Sequence, residues 1–139
     1  MILFAVMLAA LLLSIAVGVS EIAYKENTFG TSTKDTDNAF FAADSGTEQV
    51  LFYDKTSTTY PIPDVGVTKT WDGNSSPSIL PVLGLGSDGL NCALMTITKN
   101  NTVTPMQTTI VSDGFNIGGD KNCNSTSLNR VDREITTTY

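Results

Sequence analysis

Met1–Ser20 reads MILFAVMLAALLLSIAVGVS, twenty residues without a charged side chain. As a helix this run is about 30 Å long, which matches the hydrocarbon thickness of a bilayer. Three fates suit such a segment: a secretory signal peptide, an anchor that stays in lipid, or a helix that leaves lipid to pack against copies of itself. A signal peptide or new anchor starts with a basic region, whereas the first cation here is Lys25. The chain therefore reads as already processed, with its N-terminus toward the cytoplasm and Glu21, Lys25 and Glu26 at the outer face. Residues 1–26 form the expected anchor and core helix. Leu3, Phe4, Met7, Leu8, Leu11, Leu12 and Ile15 are its expected packing surface.

Beyond the helix, NTFGTST at 27–33 is polar and carries Gly30 and three threonines. Glycine costs about 1 kcal/mol in a helix interior and threonine somewhat less, so a hinge is expected there. Helical spacing returns over 34–54, where Phe40, Ala43, Thr47, Val50 or Leu51, and Asp54 share one face. Ser32 and Asp35 have capping-box spacing at its start. Phe40, Phe41, Leu51 and Phe52 are expected in the core.

From Tyr60 onward Thr, Val, Ile, Gly and Asn dominate, punctuated by five prolines, a pattern of strands and turns. Strands are expected near 65–71, 91–98, 106–112 and 128–138. The fold class is α+β: a long N-terminal helix packed on a small antiparallel sheet, with residues 34–139 as the head. Trp71 suits either the helix–sheet seam or the surface. Cys92 and Cys123 pair most simply as a disulfide, the alternative being two buried thiols. Sequons at Asn74, Asn100 and Asn124 fit an exported head but arise readily in such a composition.

Several function classes find no support. With a net charge of −6 and only 16% charged residues, no basic patch for nucleic acid is evident. The chain has no histidine, the usual general base near neutral pH and the commonest metal ligand, and no activated nucleophile stands out, so neither catalysis nor a cofactor is expected. The loop 113–120 offers Asp113, Asn116 and Asp120 as weak calcium candidates, and Ser87–Asn91 is a second Asp/Asn/Gly turn. Neither has the spacing or closing glutamate of an EF-hand, and such residues are turn formers first.

A charge-free helix, then NAFFAADSGTEQVLFYD at 38–54, a β-rich remainder and a closing RVDREITTTY at 130–139 together resemble type IV pilin-like proteins, particularly those of small-genomed candidate-phylum bacteria. The resemblance covers residues 1 to about 54 and the last strand. It implies a leader cut by a prepilin peptidase, a methylated amine on Met1, an inner-membrane stage, and extraction by assembly machinery into a helical filament of identical subunits at the cell surface. Pilins usually carry glutamate at mature position 5, where it neutralises a neighbour's amine; here that position is Ala5. A minor pilin or secretion pseudopilin fits that departure. A membrane-anchored extracellular binding module is the alternative from another class.

Overall fold

The computed structural model describes residues 2–56, 58–75, 78–119 and 122–139. The chain divides into two compact units, residues 1–34 and 35–139. Helix α1 spans Ile2–Thr56, and five strands follow: β1 Thr68–Trp71, β2 Val82–Leu85, β3 Asn91–Asn100, β4 Gln107–Phe115 and β5 Asp132–Thr138. All described pairings are antiparallel, in the order β1-β3-β4-β5, with β2 also on β3. The α+β class expected from the sequence is the class observed.

The expected hinge at 27–33 is helix. Its threonines bond within it: Thr28, Thr31 and Thr33 donate their hydroxyls to the carbonyls of Tyr24, Asn27 and Phe29, each four residues back. These bonds give the hydroxyls partners inside the helix, a pattern that weakens a helix slightly without ending it. Gly30 costs propensity only, and one such cost does not stop a long helix. Ser32 and Asp35 consequently lie inside the helix and cap nothing.

In the second unit, α1 lies on the sheet through its smallest side chains: Ala39, Ala42, Ala43, Gly46, Thr47 and Val50 are buried. Along β3 the odd positions Ala93, Met95, Ile97 and Lys99 are buried, and along β4 the even positions Thr108, Ile110, Ser112 and Gly114. The register pairs these as Ala93 with Gly114, Met95 with Ser112, Ile97 with Ile110, and Lys99 with Thr108. A step of two strand residues advances about 6.6 Å and a step of four helix residues about 6 Å, so helix and sheet contacts stay in phase. Gly114 meets the backbone at Ala39 and Ala43, Gly46 meets Ser112, Ala93 and Met95, Val50 joins Ile97 and Ile110, and Asp54 reaches Lys99.

That close approach corrects the expected aromatic core. Phe40, Phe41 and Phe52 are 49%, 63% and 61% exposed, because a sheet seated on alanine and glycine leaves no room beneath the helix for rings. Leu51 packs at the margin of the core. Trp71 is fully buried on β1 beside Tyr60, their ring centroids 5.9 Å apart, which settles its place at the seam. Strand β2 was not expected. It begins one residue after Pro81 and pairs irregularly with β3, and a proline at the mouth of an edge strand hides it from a sequence reading.

Cys92 and Cys123 are joined in a disulfide, with Cα atoms 5.9 Å apart. The bond ties the start of β3 to the loop that follows β4. Phe115 and Leu94 pack around it as a second small core.

Candidate functional site

Two places carry chemistry of their own: the apolar surface of the first unit and a buried polar cluster in the second. Ile2–Lys34 is helical and exposed at every described position. The seven expected packing residues all lie on this surface, Leu3, Phe4, Met7, Leu11, Leu12 and Ile15 each more than 60% exposed and Leu8 46%. They are not a separate stripe. Ile2, Val6, Leu13, Val17 and Val19 are exposed as well and complete an apolar circumference. A helix apolar all round is stable only when surrounded by protein or lipid. Among the described residues it is the one helix long and apolar enough to cross a membrane. Met1, the expected modified terminus, lies outside the described residues.

In the second unit, Lys99 and Asp54 form an ion pair, Nζ to Oδ1 2.5 Å, with both side chains only 5% exposed. Lys99 Nζ also donates to the Tyr60 carbonyl at 2.5 Å, and the Tyr139 hydroxyl donates to Asp54 Oδ2 at 2.6 Å. Tyr139 is held in place by reciprocal backbone bonds with Thr108, and Lys55 sits over its ring. Burial, followed by the bond to Asp54 and the Asp54 charge, pushes the Tyr139 phenol well above its ordinary value. The Tyr60 phenol is also raised, first by burial and then by Tyr53 and Asp54. Pro61, Ile62 and Met106 border a cleft over this cluster. Sequence reading placed Asp54 on the helix face but assigned no role to Lys99 or Tyr139. A lysine at a core-facing position of the strand alternation was the available signal.

Of the weak calcium candidates, Asn116 and Asp113 are among the described residues, and each has other neighbours. Asn116 is buried and its amide is spent on the chain: Nδ2 donates to the Asn129 carbonyl and Oδ1 accepts from the Val131 amide. Asp113 lies on β4 opposite Glu134, and its carboxyl is raised, first by burial and then by the charges of Glu134 and Asp132. Asp120 is outside the described residues. No group of three potential metal-binding side chains occurs among the described residues. In the other turn, Asn91 is buried against Gly86.

Comparison with known proteins gave no match: no family model, no curated protein and no solved structure aligns with the chain.

Proposed function

We propose that this chain is a structural subunit of a type IV pilus-like filament at the cell surface, held in the inner membrane by its N-terminal helix until assembly machinery packs it with identical copies. The observation that carries the reading is the helix Ile2–Val19, charge-free and exposed on every side. At about 25 cal/mol per Å² of apolar surface, leaving it in water would cost tens of kcal/mol. Lipid removes that cost before assembly, and neighbouring helices remove it afterwards. The second unit, with its own core and disulfide, is the part displayed to solvent, and its activity is mechanical, with no catalysis.

Shearing cells and sedimenting the released surface fraction at high speed tests the proposal. Wild-type chain should pellet as filaments, and Leu8→Lys should stay with the cells, because a cation at a helix centre costs about 2.5–3.5 kcal/mol on membrane insertion and meets no partner in an apolar bundle. Full-length wild-type chain recovered as a detergent-free, monodisperse monomer would overturn it. A chain found only in membranes, with none in the sheared fraction, would favour the anchored binding module.

A further inference from the structure

We propose that Lys99 and Asp54 condense into an isopeptide bond that fastens α1 to β3. Lys99 Nζ lies 2.5 Å from Asp54 Oδ1, with both side chains almost wholly shielded from water, which holds the amine beside the carboxyl group whose Cγ it would attack. Each is oriented by a second bond, Lys99 to the Tyr60 carbonyl and Asp54 to the Tyr139 hydroxyl, so little freedom is left to lose on the way to the product. Isolated charges are costly in such surroundings, and an amide removes both at once.

The step balances without any added reagent. A proton passes from the Lys99 ammonium to Asp54 Oδ1, giving a neutral amine and a neutral acid with no change in net charge. The amine lone pair then attacks Cγ, and the C=O electrons move onto Oδ2, where the Tyr139 hydroxyl donates to the developing oxyanion. As the carbonyl re-forms, the C–Oδ1 bond breaks and the hydroxyl leaves with a second proton from nitrogen, as water. The last N–H stays directed at the Tyr60 carbonyl. The cleft bordered by Pro61, Ile62 and Met106 gives the water a way out. With Cys92 already in a disulfide at the other end of β3, the central strand would be covalently fixed at both ends. This suits a domain that carries load, but the bond itself does not depend on the filament reading.

Peptide mapping of the full-length, detergent-solubilised chain tests the proposal, after reduction of the disulfide and digestion with trypsin. The expected result is a branched peptide joining the Asp54 and Lys99 segments, about 18 Da lighter than their sum, with no cleavage after Lys99. Lys99→Arg and Asp54→Ala should both abolish the branched species, and Tyr139→Phe should slow its appearance several-fold during refolding. Linear peptides of full mass, with complete cleavage after Lys99 in folded and aged wild-type protein, would overturn it. Because the wild-type digest decides the question, poor folding of a variant does not obscure the answer.

Discussion

Gly46 and Gly114 show how single residues set the distance between helix and sheet. A Cβ at Gly114 would collide with the α1 backbone at Ala39 and Ala43, and one at Gly46 with Ser112, Ala93 and Met95. Overpacking of this kind costs about 1–3 kcal/mol, and Gly114→Ala should fall at the upper end because backbone cannot swing aside. Gly30→Ala, whose Cβ meets open space, should leave the head unchanged. Urea denaturation followed by the fluorescence of Trp71, the single, fully buried tryptophan, separates the three. Asp113 gives a second residue-scale test. Its folded carboxyl is raised above the ordinary 3.8, so between 3.8 and that raised value the folded state binds more protons than the unfolded. Stability therefore falls as pH climbs through this window, and the deficit persists at neutral pH. Asp113→Asn should be more stable than wild type at pH 7 and should lose that advantage below pH 4. A variant no more stable at pH 7 would show that neither burial nor the Glu134 and Asp132 charges disfavour the Asp113 carboxylate in the folded state.

At the scale of elements, the AADSG run explains what was legible in the sequence and what was not. Helical spacing identified the face correctly at Ala43, Thr47, Val50 and Asp54, because periodicity reports which positions face inward. It placed Phe40 there too, and Phe41 was expected in the core beside it, since hydrophobicity alone cannot report how closely a sheet approaches; that distance is fixed by Gly114 on a strand about seventy residues away. The hinge failed for a related reason: propensity counted the costs of Gly30 and the threonines, and those costs, with the hydroxyls bonded to the preceding turn, weaken a helix without ending it. Strands β3, β4 and β5 were readable from alternation and turn signals, while β2 is short, irregular and preceded by proline. The Lys99 cluster was hidden because its members lie on α1, β3 and the end of the chain and meet only in the fold. The disulfide closes a loop across 31 positions, and on the chain-entropy account it contributes about 3–4 kcal/mol. Reduction should lower the urea midpoint of the Trp71 transition accordingly; an unchanged midpoint would show that the small core around Phe115 holds the loop unaided.

For the whole molecule, the division at residues 34 and 35 separates an apolar helix with every described residue exposed from a unit with its own packed core. A chain made only of residues 35–139 should therefore remain in solution without detergent, whereas the full chain should need it. The two units answer different physical demands: the first requires apolar surroundings, and the second provides its own. The central claim is that copies of the first unit supply those surroundings for one another. Helical reconstruction by electron cryomicroscopy of material sheared from the cell surface tests this most directly. Copies of the 2–19 segment should bundle along a common axis with a regular rise and rotation; an assembly in which those segments make no contact with one another would contradict the filament reading.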